Sequence, residues 1–158
     1  MIKPNRRLTG LWIEAIKETI RTNPDGAEAL YYDLGVAYSI LGLYQEAIEA
    51  YLQAIRIKSD DAKSYYNLGL TYALLGRWEE AIGAYLQAIS IKPDSALAHY
   101  NLGVAYGRLG ACYGVDSFLT EEIQAYKKAI KIKPSYIRAY YNLCISYLLL
   151  AINRLRKR

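Results

Sequence analysis

The 158-residue sequence has few of the residues that most catalytic and metal sites require. It contains two cysteines, Cys112 and Cys144, and one histidine, His99, which are too few for a disulfide framework or a usual zinc site. No glycine-rich phosphate loop and no nucleophile paired with a base can be identified. We therefore expect a protein that is not an enzyme and that uses no metal or other cofactor.

Long apolar runs and a continuous basic stripe are also missing. Residues 148–152 are far fewer than the roughly 20 apolar residues that cross a bilayer, and no signal peptide follows the N-terminus. The net charge is +5, but seven of the twenty basic residues lie in the two terminal segments. The rest of the chain holds thirteen basic and fifteen acidic residues. It therefore has no excess of positive charge that would favour binding to phosphates. We expect a cytoplasmic protein that binds neither nucleic acid nor membrane.

What the sequence does contain is a repeated block. Residues 31–60 read YYDLGVAYSILGLYQEAIEAYLQAIRIKSD, and residues 65–94 read YYNLGLTYALLGRWEEAIGAYLQAISIKPD, at an offset of 34. A third copy begins at His99 and resumes at Glu121, and a fourth begins at Tyr140. Apolar residues recur at helical spacing within each copy, so each copy predicts a hairpin of two amphipathic helices.

Small residues recur at fixed places in the predicted hairpins. One set should end the first helices, since glycine readily adopts the left-handed conformation found there: Gly42, Gly76 and Gly110. A second set should face the alanines Ala47 and Ala81 and let the two helices approach: Gly35, Gly69 and Gly103.

The third and fourth copies depart from this pattern. Glu122 replaces the hairpin alanine, Cys144 replaces the hairpin glycine, and seven extra residues fall at 111–117. We expect the insertion to form a longer turn or additional helical turns, or else a loop over a binding surface. Acidic pairs at helix starts, including Glu121 and Glu122, are expected to be solvated caps, and Cys144 is expected to lie in the core.

The sequence resembles the tetratricopeptide repeat (TPR) family. The second copy supplies each position of that family's motif: Leu68, Gly69, Tyr72, Ala81, Tyr85, Ala88 and Pro93. The resemblance implies an all-α fold, a right-handed α-solenoid of antiparallel helix pairs with about eight helices. We divide the single domain, 1–158, into a partial repeat with a second helix only (10–26), repeats 1 (27–61), 2 (62–95) and 3 (96–136), and a first helix with a basic tail (137–158).

The resemblance also implies that the first helices line a concave groove, which we take as the candidate peptide-binding site. Its predicted residues are Tyr32, Val36, Lys63, Tyr66, Asn67, Leu70, Tyr100, Asn101, Val104, Arg108, Arg138, Tyr141, Asn142 and Ile145. Family members that grip a terminal carboxylate use polar side chains where this chain has Val36, Leu70 and Val104. An acidic chaperone tail is therefore a disfavoured ligand.

Two rows of residues in the groove suggest how it binds. Asn67, Asn101 and Asn142 resemble the asparagine ladder of TPR proteins that bind extended segments, because an amide can pair with any peptide backbone. The alternative is that these asparagines only bond neighbouring helices. The second tyrosine of each pair is rotated away from the packing stripe and is expected to face elsewhere: Tyr32, Tyr66, Tyr100 and Tyr141.

These observations predict a non-catalytic scaffold or adaptor that binds a partner protein or peptide in its groove. One alternative is a self-assembling module, a homo-oligomer formed through the apolar residues Leu148, Leu149 and Ile152. Another is that the chain is an accessory domain of a larger protein.

Overall fold

The computed structural model describes residues 6–24, 26–113 and 118–156, which form eight α-helices and no strand. The helices are α1 (Arg6–Thr22), α2 (Ala27–Leu41), α3 (Tyr44–Ile57), α4 (Ala62–Leu74), α5 (Trp78–Ile91), α6 (Ala96–Tyr113), α7 (Leu119–Ile132) and α8 (Ile137–Arg156). The predicted all-α fold of eight helices is confirmed. Among the described residues, no helix is long and apolar enough to cross a membrane.

Each helix packs on its neighbour in the sequence, and α2/α3, α4/α5 and α6/α7 form the three hairpins. The core runs between them without a break. One cluster joins Tyr85 of α5 to Leu102 of α6, and another joins Ile13 and Ile16 of α1 to Leu34 of α2. The hairpins therefore stack as a continuous solenoid with a single helix at each end.

Glycines and one aspartate mark the helix ends where the chain turns. Gly42 and Gly76 adopt positive φ angles of 79° and 73° after α2 and α4, as predicted for a helix C-terminus. At the start of α4, the carboxylate of Asp61 accepts hydrogen bonds from the backbone N–H groups of Lys63 and Ser64, which caps the helix.

Gly110 does not end its helix, and that prediction is wrong. It lies inside α6, which continues to Tyr113. The seven extra residues before α7 remove the need for a tight turn at this glycine. Residues 111–113 of the insertion are therefore helical, whereas residues 114–117 lie outside the described part of the chain. The tail residues Lys3, Lys157 and Arg158 also lie outside it.

The hairpin glycines make room for tyrosine rings of the second helices. A Cβ atom added to Gly35 would lie 2.5 Å from a ring carbon of Tyr51, and one on Gly69 would lie 2.7 Å from the ring of Tyr85. Gly103 has the same relationship to Tyr126. The ring of the second-helix tyrosine therefore occupies the space beside each missing Cβ.

Candidate functional site

Asparagine amides join the first helices of successive repeats. In each case the side-chain nitrogen of one asparagine donates to the hydroxyl oxygen of a tyrosine on the preceding first helix. The pairs are Asn67 to Tyr32 at 3.0 Å, Asn101 to Tyr66 at 2.9 Å, and Asn142 to Tyr100 at 3.3 Å. Asn142 also donates to the hydroxyl of Tyr126 on α7 at 3.2 Å. Each amide therefore ties helices together, as the structural alternative for this row predicts.

Three of the second-position tyrosines are half-buried and take part in the packing. Each ring lies against the tyrosine of its own second helix, with centroids about 6 Å apart. The pairs are Tyr32 with Tyr51 (6.0 Å), Tyr66 with Tyr85 (6.0 Å) and Tyr100 with Tyr126 (5.8 Å). Tyr141 on α8 remains 68% exposed, because no described helix follows to cover it.

Burial changes the acidity of these phenols. It raises the pKa of Tyr66 to about 12, although the hydrogen bond from Asn101 acts in the opposite direction. Burial also raises the pKa of Tyr51 to about 12. Both tyrosines therefore stay protonated at neutral pH and serve as hydrogen-bonding and packing groups.

Two cavities open along the row of first helices. The first, of about 300 Å³, lies between α4, α5 and α6. Four of the predicted groove residues line it: Tyr32, Lys63, Tyr66 and Asn67. The second, of about 270 Å³, lies where α6, α7 and α8 meet. It is lined by another four: Val104, Arg108, Asn142 and Ile145. The structure thus divides the predicted groove into two recesses.

Other predicted groove residues line neither of these two cavities. Val36 and Leu70 are half-buried against the core between repeats. The ring centroid of Tyr100 also lies 4.9 Å from that of Tyr136. Arg138 and Tyr141 are exposed on α8. The predicted self-association residues are exposed on the same helix: Leu148 at 61%, Leu149 at 45% and Ile152 at 36%.

Sequence reasoning missed the environment of Glu122. It is not a solvated cap, because its carboxylate is half-buried and its Oε1 accepts a hydrogen bond from the fully buried Ser146 at 2.8 Å. Burial raises the pKa of Glu122 above its usual range, and hydrogen bonding to Ser146 and Tyr126 opposes this effect. The available signal was its position, since Ala47 and Ala81 occupy the equivalent place and are completely buried.

The single histidine and the two cysteines were the candidates for catalytic chemistry. The Nε2 atom of His99 lies 3.1 Å from the carbonyl oxygen of Pro93, so this side chain ties the start of α6 to the preceding loop. Cys112 and Cys144 are free and exposed. The core prediction for Cys144 is therefore wrong, because no helix in the described part of the chain covers α8 as α3 covers α2.

The family pattern of the TPR repeat matches the chain at residues 35–76, 71–110 and 119–150, which is more than half of its length. The chain belongs to the TPR repeat family. This assignment confirms the family resemblance and agrees with the stacked hairpins. The TPR fold supports a general role in protein interaction.

Solved TPR structures resemble this chain over most of its length. A crystal structure of MamA is 29% identical with a TM-score of 0.81, covering 96% of this chain and 85% of that one. A second MamA structure is 30% identical with a TM-score of 0.78, covering 92% of this chain and 77% of that one. The second TPR domain of human RPAP3, solved with the HSP70 peptide SGPTIEEVD, is 25% identical with a TM-score of 0.67, covering 74% and 92%. A comparison with curated proteins gave no match.

Proposed function

We propose that this TPR protein is a non-catalytic scaffold or adaptor that binds a partner segment with apolar side chains along its first helices. The observation that carries the proposal is the pair of recesses, each lined by four residues of the predicted groove. Concave recesses with mostly apolar walls and a few polar groups are the usual form of a binding site. The solved complex of the RPAP3 domain with a peptide supports a peptide as the class of ligand.

The asparagine row has a double role in this proposal. One N–H of Asn67 and of Asn101 is engaged by a tyrosine of the preceding repeat, whereas both N–H groups of Asn142 are engaged, by Tyr100 and Tyr126. Asn67 and Asn101 each keep a second N–H and an amide oxygen with two lone pairs, and Asn142 keeps its amide oxygen. These groups can pair with the backbone of an extended partner. The tyrosine contact holds the amide in a fixed orientation, which reduces the entropy that binding would otherwise cost.

The recesses expose apolar side chains beside charged ones, with Lys63 and Lys92 at the first and Arg108 and Glu122 at the second. Leu97 is 47% exposed at the first cavity, and Ile145 is 41% exposed at the second. Glu122 adds negative charge to the second cavity. A segment such as SGPTIEEVD, which carries two adjacent glutamates and an aspartate, would meet repulsion from Glu122 there.

Selection of binders from a random-peptide display library, followed by calorimetry, tests the proposal. Leu97→Ala and Ile145→Ala should each weaken binding of a selected peptide by about tenfold, the equivalent of ~1.4 kcal/mol. Leu52→Ala is the matched control, because Leu52 is 41% exposed on α3 and lines neither recess. A selected peptide that responds to Leu52→Ala but to neither of the recess variants would contradict the proposal. SGPTIEEVD should not compete for the groove.

We also propose, as a second function, that α8 mediates self-association. Its exposed apolar residues Leu148, Leu149, Ile152 and Leu155 form more apolar surface than a soluble helix normally leaves to water. Light scattering over a concentration series, with the variants described below, tests whether a second copy covers this surface.

A further inference from the structure

Three departures from the repeat lie close together where the third hairpin meets α8. Glu122 stands where the first two hairpins have alanine, as noted above. Gly107, which faces it from α6, stands where the first two hairpins have Ser39 and Ala73. Ser146, which faces it from α8, is equivalent to an alanine or threonine in the other three first helices. Gly107 and Glu122 line the second recess, and Ser146 contacts the carboxylate of Glu122.

The changes on α6 and α8 accommodate the carboxylate. A Cβ atom on Gly107 would lie 2.9 Å from the carboxyl carbon of Glu122 and 3.0 Å from each of its oxygens. A side chain at position 107 would therefore displace the carboxylate. Ser146 donates a hydrogen bond to Oε1 at 2.8 Å from a fully buried position. The site has space for Glu122 and holds it in one orientation.

The carboxylate has no cationic partner in the described part of the chain. The ion pairs found there are Lys17 with Glu14, Arg21 with Glu18, and Arg77 with Glu80. Arg108 lines the same cavity, but it is exposed and lies beyond ion-pair distance of Glu122. A carboxylate withdrawn from water without a counter-charge is unfavourable, and a cation entering the cavity would remove that cost.

We propose that the second recess is a socket for a lysine or arginine side chain of the bound partner segment, with Glu122 as its counter-charge. The walls suit such a side chain, since Val104 and Ile145 can contact its aliphatic stem while Glu122 binds its head group. The cavity of about 270 Å³ is several times the ~30 Å³ share of a water molecule in the liquid. The socket rests on the proposed groove function. It adds that the bound segment carries a lysine or arginine side chain.

A purely structural role for Glu122 makes a different prediction. If the carboxylate only connects α7 to α8, glutamine could also accept the hydrogen bond from Ser146, and no ligand would respond to the lost charge. The socket requires the charge itself. The variant Glu122→Gln therefore separates the two roles, and Glu122→Ala, which restores the residue of the first two hairpins, is the second variant if glutamine impairs folding.

A small cation tests the socket without any partner. We would titrate the ¹⁵N-labelled chain with n-butylammonium chloride at constant ionic strength and use 1-butanol as the neutral analogue of similar size. We expect saturable shifts at Gly107, Asn142 and Ser146 with butylammonium and much smaller ones with butanol. Glu122→Gln should weaken this binding by about tenfold or more, as for loss of a charged hydrogen bond, and Arg108→Ala should strengthen it by removing a like charge.

The matched control is Glu121→Gln, which removes the same charge from an exposed neighbour on the same helix. It should leave butylammonium binding unchanged within about twofold, since an exposed charge is well screened. Equal binding of butylammonium and butanol, or equal losses for Glu121→Gln and Glu122→Gln, would overturn the socket.

A peptide measurement distinguishes failure of the socket from failure of the groove. In a groove-binding peptide from the display selection, each lysine or arginine is replaced in turn by norleucine. We expect one replacement to weaken binding to the natural chain but not to Glu122→Gln. Peptides that bind the groove but are insensitive to every such replacement would refute the socket and leave the groove function intact. Butylammonium binding that depends on Glu122, without any groove-binding peptide, would support the socket and contradict the groove function.

Discussion

The side-chain nitrogen of Asn101 lies 2.9 Å from the hydroxyl oxygen of Tyr66, and this hydrogen bond joins the third repeat to the second. The same bond recurs one repeat earlier between Asn67 and Tyr32 at 3.0 Å. The row that resembles a peptide-binding ladder is therefore also a set of inter-repeat ties. Its stability role can be tested separately from its binding role.

Asn101→Ala should reduce the free energy of unfolding by about 1 kcal/mol, the usual net value of one hydrogen bond. For a chain of this size the melting temperature should fall by about 2–4 °C. Thermal denaturation followed by circular dichroism measures it. Tyr66→Phe should cost a similar amount, and the double variant should cost less than the sum of the two, because both remove the same bond. An unchanged melting temperature for Asn101→Ala, with reduced peptide affinity, would show that the amide serves the partner alone.

Gly35→Ala should destabilise the first hairpin by about 1–3 kcal/mol, the typical cost of overpacking a core. The added methyl would lie 2.5 Å from the ring of Tyr51, which is only 2% exposed and cannot easily move. Gly83→Ala is the control, because this helical glycine on α5 has no atom within 4 Å of the added Cβ. It should stabilise the chain by up to about 1 kcal/mol through helix propensity. Chemical denaturation compares the two, and equal effects would argue against the glycine and tyrosine contact.

The protonation of Glu122 should couple stability to pH. Burial raises the pKa of this carboxyl in the folded chain above its ordinary value of 4.5, so the folded state binds the proton more tightly than the unfolded state. The resulting stability is fully present below the unfolded pKa and is lost as pH rises through the folded pKa. Glu122→Gln should therefore be more stable than the natural chain at pH 7. Urea denaturation should show this advantage disappearing below about pH 4, and a constant difference across the pH range would contradict the prediction.

Leu148→Glu or Leu149→Glu should weaken self-association through α8. A charge placed on an apolar contact surface must lose its hydration when the second copy binds. The weight-average mass should rise with concentration for the natural chain and remain near that of the monomer for the variants. Leu52→Glu, on the exposed side of α3, should behave like the natural chain. A natural chain that stays monomeric at high concentration would exclude this second function.

Much of the fold could be predicted from sequence because its determinants are local and repeated. The 34-residue period and the helical spacing of apolar residues indicate hairpins directly, and Gly42 and Gly76 mark two helix ends correctly. The same reasoning was wrong at Gly110, where the insertion changes the length of the connection. A local rule for helix ends gives no information on whether the chain must turn at a given glycine.

The candidate site was only partly predictable. The sequence placed Tyr66 and Asn67 on one helix, and both line the first recess. It did not indicate that Tyr66 accepts a hydrogen bond from Asn101, because that contact joins residues 35 positions apart and depends on the stacking of two repeats. Glu122 is a departure visible in the sequence, but its burial depends on Gly107 and Ser146 from two other helices.

By itself, the sequence determined the family, the all-α class and the order of helices, since repetition fixes the same local structure in each copy. Only the tertiary structure decided which side chains meet across repeats. It placed the hairpin glycines beside tyrosine rings and Glu122 beside Ser146, and it left Cys144 exposed on α8. These outcomes depend on which helix covers each surface, and residues distant in the chain determine that by packing.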